Sequence, residues 1–140
     1  TMGISVPGAI GAKLVHPEKK ILAVCGDGGF MMNCQEFETA LRAKTPFVTL
    51  VFNDSSYGLI KWKQMDQYGK SCCVDFTNPD FVKFAESMGA IGYRITKAED
   101  LVPTLKKAFE QNVPVIIDCP VDYAENTKLT AHLKELMEKL

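Results

Sequence analysis

Two apolar runs of strand character, Ile21-Leu22-Ala23-Val24-Cys25 and Phe47-Val48-Thr49-Leu50-Val51-Phe52, each empty into a turn-rich stretch. Gly26-Asp27-Gly28-Gly29 follows the first, and Asn53-Asp54-Ser55-Ser56-Tyr57-Gly58 follows the second. Continuous β-rich runs bounded by turn residues read as strands buried on both faces, the mark of a parallel sheet. Between them, Gln35 to Lys44 carries Phe37, Ala40 and Leu41 at helical spacing and stops before Pro46. It reads as the crossover helix that a parallel pair requires. Both turn stretches then fall at the carboxyl edge of one sheet, where open α/β sheets bind their ligands.

The same pattern continues along the chain. Pro7 opens a small-residue helix that ends before Pro17, and Asn33 with Glu36 fits an Asn-x-x-Glu capping box for the crossover helix. A short helical run is expected from Leu59 to Gln67, with Trp62 as a packing residue. Asn78-Pro79-Asp80 reads as N-cap, first-turn proline and acidic first turn of a helix that runs to about Met88 and stops at Gly89. Tyr93-Arg94-Ile95 is a short strand, and Glu99 to Glu110 is an amphipathic helix with Leu101, Leu105, Ala108 and Phe109 inward. Pro114 to Cys119 is the last strand. Thr130 to Leu140 carries Leu133, Leu136, Met137 and Leu140 at helical spacing, a stripe expected to dock on the domain or on a neighbouring subunit. The alternation predicts one α/β domain over residues 1–140, a doubly wound, mainly parallel sheet with helices on both faces, flavodoxin-like and lacking its first elements.

Composition narrows the class. A 46% hydrophobic content in 140 residues suffices for one core. The net charge of −1 and scattered lysines leave no basic stripe for nucleic acid. No apolar run approaches the ~18 residues of a membrane span and no charged-then-apolar leader opens the chain, so a soluble cytoplasmic protein is expected. The five cysteines show no C-x-x-C spacing and read as reduced, mostly buried small hydrophobes. His16, before a proline, and His132, in the charged tail, read as structurally ordinary.

The candidate chemistry lies at the two strand ends. Asp54 by itself reads as a turn or cap residue, but Asp27 and Asp54 at adjacent strand ends, with backbone amides freed by Gly28 and Gly29, suit a divalent cation carrying a phosphorylated ligand. A phospho-accepting receiver domain, a non-enzymatic alternative, gathers acids around Mg²⁺ in a similar fold but needs a Lys where this chain has Cys119-Pro120. GDGGF lacks the G-x-G-x-x-G spacing of a dinucleotide site, and no G-K-[ST] marks a Walker loop.

Gly26-Asp27-Gly28 followed by Asn53-Asp54 resembles the thiamine diphosphate motif, GDG and then NN on the next strand, with Asp in place of the second Asn. Thr1-Met2-Gly3, VDFTNPDFVKFAESMGAIGYRI and PVIIDCPVDY are similar to acetolactate synthases, especially the catabolic kind. The resemblance implies the C-terminal, diphosphate-binding domain of a longer enzyme. Asp27, Asp54 and the carbonyl of Ser56 would hold Mg²⁺. Gly26, Gly28, Gly29, Tyr57 and Gly58 would cradle thiamine diphosphate, with Met2 beneath the thiazolium. It implies condensation of two pyruvates to 2-acetolactate with loss of CO₂, without FAD. It places no catalytic residue in this chain, because the activating glutamate belongs to the N-terminal domain of another subunit in a homodimer or homotetramer. The fragment alone is then inactive. A different thiamine diphosphate-dependent decarboxylase, oxidase or carboligase of 2-keto acids is the alternative. The channel Trp of the biosynthetic enzymes falls one position later than Trp62, where this chain has Lys63, which removes Trp62 from that role.

Overall fold

The structure, a computed structural model, describes residues 1–123. Among these residues four strands, β1 (Leu22–Gly26), β2 (Val48–Asn53), β3 (Ile91–Arg94) and β4 (Val115–Pro120), alternate with six α-helices. These are α1 (Ser5–Val15), α2 (Asp27–Met31), α3 (Glu36–Arg42), α4 (Gly58–Tyr68), α5 (Phe81–Met88) and α6 (Leu101–Ala108). The sheet order is β1-β2-β4-β3 and every pairing is parallel. The register sets Gly26 beside Phe52 and Asn53 beside Pro120, so the carboxyl ends of β1, β2 and β4 meet at one edge.

Residues Val115 to Cys119 are all buried because both faces of β4 are covered. Ile116 joins Ala23, Val51 and the apolar stripes of α1, α3 and α5 in one core. Val115, Ile117 and Cys119 join Val48, Leu50 and Ala108 of α6 in the other. The doubly wound α/β arrangement read from the alternation is thus present. On the α6 side, Leu22 and Val24 of β1 remain exposed among the described residues.

Four local readings are corrected. Asp27 to Met31 winds into a helix instead of an open glycine loop, although two glycines disfavour helix by about 1 kcal/mol each. Phe30 supplies the compensation: it is fully buried and meets Phe37, Phe81 and Phe84 edge-on at centroid distances of 5.8, 5.4 and 5.9 Å. Asn33 does not cap α3, which begins one residue past Gln35. Its Nδ2 instead donates to the Gly3 carbonyl at 2.9 Å and ties down the N-terminal segment. Asp80, not Asn78, caps α5, accepting from the amides of Val82 at 3.1 Å and Lys83 at 3.4 Å. The cysteines are not mostly buried: only Cys119 is, while Cys72 and Cys73 are exposed.

The remaining expectations differ in detail. α5 does stop at Gly89, in the left-handed region at φ 85°. β3 runs from Ile91 to Arg94, starting two residues and ending one residue earlier than expected. The apolar stripe expected at 130–140 lies outside the described residues.

Where α5 crosses β3, an added Cβ on Gly92 would sit 2.5 Å from Val82 Cα and 2.7 Å from its carbonyl oxygen. Backbone atoms cannot swing away, so Gly92→Ala should destabilise the fold by about 1–3 kcal/mol, as overpacking does. Gly11, exposed in α1 with nothing within 4 Å of its added Cβ, makes the control. Gly11→Ala should stabilise by up to about 1 kcal/mol through helix propensity. Urea denaturation of both variants checks the pair, and equal effects would refute the packing argument.

Candidate functional site

β1 delivers Asp27 at its carboxyl end, with the side chain only 1% exposed. A buried carboxylate must recover the hydrogen bonds it gave up with water. Oδ1 accepts from the Gly28 amide at 2.7 Å. Oδ2 accepts from the Ser55 amide at 2.7 Å and from Asn78 Nδ2 at 2.6 Å. Ser55 aims its amide from a left-handed backbone, φ 54°, which a non-glycine residue adopts only under constraint.

The loop after β2 carries the second acid. Asp54 accepts from the Ser56 amide at 3.3 Å and the Ser56 hydroxyl at 2.9 Å, a side chain folded onto its own turn. Across the loop lies residues 74–76: Val74 O accepts from Tyr57 N at 2.9 Å and Ser55 O from Phe76 N at 3.0 Å. The Tyr57 and Phe76 rings pack at 4.9 Å. Two glycines permit this approach. A Cβ on Gly28 would lie 2.7 Å from the Tyr57 ring, and one on Gly58 would lie 2.7 Å from Asp54 Oδ2.

Met2, Gly26, Asp27, Gly28, Gly29, Asp54, Ser56, Tyr57 and Gly58, every site residue read from the sequence, line one cavity of about 340 Å³. Leu59, Ile60 and Met2 add apolar surface to the lining that holds the two acids. The amides of Gly28 and Tyr57 point inward to Asp27 and Val74, so these residues meet the cavity with their remaining atoms. A larger hollow of about 610 Å³, lined by Lys13, Lys19, Lys20 and Lys44, lies beside the amino ends of β1 and β2. It lacks any acid pair or strand-end glycine, so its size does not make it the site.

Residues that sequence reasoning assigned elsewhere hold Asp27 in place. Asn78 Nδ2 also donates to Asn53 Oδ1 at 3.0 Å, and Asn53 Nδ2 donates to Asp118 Oδ1 at 2.9 Å. Asp118 is 2% exposed and its Oδ2 accepts from Arg94 Nε at 2.9 Å, while Arg94 Nη2 reaches Asp80 at 3.0 Å. The hydrogen bond to Asp118 raises the Arg94 guanidinium further above its usual range. The one available signal was an acid inside the apolar run Val115 to Cys119, which has to find a partner.

Tyr123 closes the rim against Gly58, its ring atoms 3.6 Å from where that Cβ would stand. Burial first, then the charges of Asp54 and Asp27, push its phenol above the ordinary value. Burial pushes the Cys25 thiol up to about 11, which keeps it protonated in the cavity wall. Among the described residues no three His, Cys, Asp or Glu side chains gather at one point, so a cation here would draw on the two carboxylates and on backbone oxygen. Asn78 Oδ1 is buried with no donor among the described residues.

Residues 1–119 match the family model described as "Thiamine pyrophosphate enzyme, C-terminal TPP binding domain". "Acetolactate synthase" of Bacillus subtilis (strain 168) is 45% identical over 131 residues, covering 94% of this chain and 23% of that protein. "Acetolactate synthase, catabolic" of Raoultella terrigena is 37% identical over 139 residues, covering 98% of this chain and 25% of that protein. Among solved structures, the Rhodococcus jostii RHA1 thiamine diphosphate-dependent 4-hydroxybenzoylformate decarboxylase superposes with a TM-score of 0.81 at 27% identity, covering 89% of this chain and 24% of that one. The chain thus spans about a quarter of the length of the curated relatives it matches. By its matched residues and its fold, the chain belongs to the thiamine pyrophosphate enzymes, within which it is similar to the C-terminal, cofactor-binding domain.

Proposed function

We propose that this chain is the Mg²⁺- and diphosphate-binding domain of an acetolactate synthase that condenses two pyruvates to 2-acetolactate and CO₂. The observation that carries the reading is the cavity that Asp27, Asp54 and Ser56 line together with Met2, Leu59 and Ile60. Two carboxylates and a carbonyl are an all-oxygen donor set, which suits a hard divalent cation. A cavity lined by both acids and apolar side chains suits a cation-bridged diphosphate joined to an aromatic body.

In this reading Asp27, Asp54 and the Ser56 carbonyl hold Mg²⁺. Gly26, Gly28, Gly29, Tyr57 and Gly58 shape the diphosphate cradle and Met2 supports the ring. Thiamine diphosphate, when bound, supplies the chemistry that cleaves and forms carbon–carbon bonds at a 2-keto acid. The chain's own residues bind and orient it and exclude water. The activating glutamate comes from an N-terminal domain on another subunit of a cytoplasmic homodimer or homotetramer, with a middle domain between, and FAD is not required. This domain alone is inactive. A decarboxylase of 2-keto acids is the second reading, supported by the activity in the name of the superposed structure.

Product analysis separates the two readings. The full-length protein given pyruvate, Mg²⁺ and thiamine diphosphate without flavin should yield acetolactate, assayed as acetoin after acid decarboxylation. Acetaldehyde without acetolactate, or an absolute flavin requirement, overturns the first reading.

The metal role of Asp54 is tested by two substitutions. Asp54→Asn keeps an oxygen ligand and should retain cofactor affinity, whereas Asp54→Ala should weaken Mg²⁺-dependent binding by about 1–3 kcal/mol. Calorimetric titration of the full-length variants distinguishes them, and equal affinities would leave Asp54 a turn residue.

Asp118 accepts on both oxygens, which an amide cannot do. Asp118→Asn should therefore release either Asn53 or Arg94 and lower Mg²⁺ affinity, by less than the about 10–100-fold expected for a direct partner of a metal ligand, because Asp118 reaches Asp27 only through Asn53 and Asn78. A lowered melting temperature with unchanged Mg²⁺ affinity would show that the network serves the fold alone.

A further inference from the structure

We propose that Cys72 and Cys73 form a dithiol site for a soft trivalent thiophile, of which an aryl arsenical is the probe. Both residues are exposed and their sulfurs stand 3.2 Å apart. The pair is held at both ends. The Gln64 side chain grips both backbone groups of Cys72, its Oε1 accepting from the amide at 3.0 Å and its Nε2 donating to the carbonyl at 3.4 Å. On the other side, Val74 is buried and its carbonyl accepts from the Tyr57 amide at 2.9 Å. Between these anchors Cys73 takes a left-handed backbone, φ 58°, which turns consecutive side chains toward each other where an extended backbone would alternate them.

That geometry selects the ligand. Cα atoms of consecutive residues lie about 3.8 Å apart, short of the ~4.4–6.8 Å that ordinary disulfides span. Direct closure to a disulfide is strained and labile, and the reduced pair is the resting form. A third atom between the sulfurs relieves that strain. No third His, Cys, Asp or Glu joins the pair among the described residues, so a tetrahedral zinc site is not formed. A centre that needs two sulfurs and brings its own substituent fits. The Cys72 thiol is held above its ordinary range, by its hydrogen bond to Cys73 first and then by the Cys73 charge.

The reaction balances without an oxidant. An aryl arsenoxide, R–As=O, forms two As–S bonds as both S–H bonds break, and its oxygen leaves as water with the two thiol protons. Arsenic stays trivalent.

The test uses the reduced full-length protein with phenylarsine oxide, followed by intact mass and peptide mapping. One equivalent, less one water, should map to Cys72 and Cys73. It should be reversed by 2,3-dimercaptopropanol and resist excess 2-mercaptoethanol. Cys72→Ser or Cys73→Ser should each weaken capture about 100-fold, the low end of the gain from joining two binding groups, while Cys34→Ser leaves it unchanged. An adduct at another thiol, reversal by the monothiol, or undiminished capture by either serine variant overturns the proposal. The reversal experiment needs no variant, so it decides the matter even if a substitution disturbs the loop.

Discussion

The buried carboxylate of Asp27 is the constraint on which the site depends. Excluded from water, it collects donors from three stretches of chain: Gly28 at the start of α2, Ser55 in the loop after β2, and Asn78 ahead of α5. Charge-assisted hydrogen bonds of this kind are short and directional. Satisfying one acid therefore fixes how three segments approach one another. The left-handed backbone at Ser55 and the absence of a side chain at Gly28 follow from the same requirement, since each lets the loop close over β1.

Behind Asp27 the polar chain runs through Asn78, Asn53 and Asp118 to Arg94, from the carboxyl end of β1 across the sheet to β3. It sits where the parallel strands end, and the two apolar cores lie to either side. A connected polar network in a packed sheet resists rearrangement, because a member that moves leaves a partner unsatisfied; only Asn78 Oδ1 lacks a donor among the described residues of this one. The strands thus present the cavity-lining loops from a fixed base. Arg94 also reaches Asp80, so the N-terminus of α5 is registered against the same network.

The dithiol segment belongs to this architecture. Residues 74–76 pair with the loop that carries Ser56, and Cys72 and Cys73 immediately precede them. A bulky centre captured there would stand one residue from the strand-like contact that holds Tyr57.

The sequence by itself determined what local pattern can encode. The apolar runs of β1, β2 and β4, the crossover helix α3, the stop of α5 at Gly89 and the strand-end set Asp27, Gly28, Gly29 and Asp54 were legible, because strand-end position and glycine placement follow from neighbouring residues, whereas Met2, Gly26, Ser56, Tyr57 and Gly58 came from the family resemblance. The tertiary structure alone decided which polar side chain serves which partner. Asn33 and Asn78 carry good capping chemistry locally, yet each bonds a group brought close only by folding: Gly3 for the first, Asp27 and Asn53 for the second. The same holds for the winding of α2, which two glycines oppose and the distant rings of Phe37, Phe81 and Phe84 impose through Phe30. A hydrogen-bonding side chain is specified by its own residue, but its partner is set by the burial that brings remote segments together, and that quantity is a property of the packed chain.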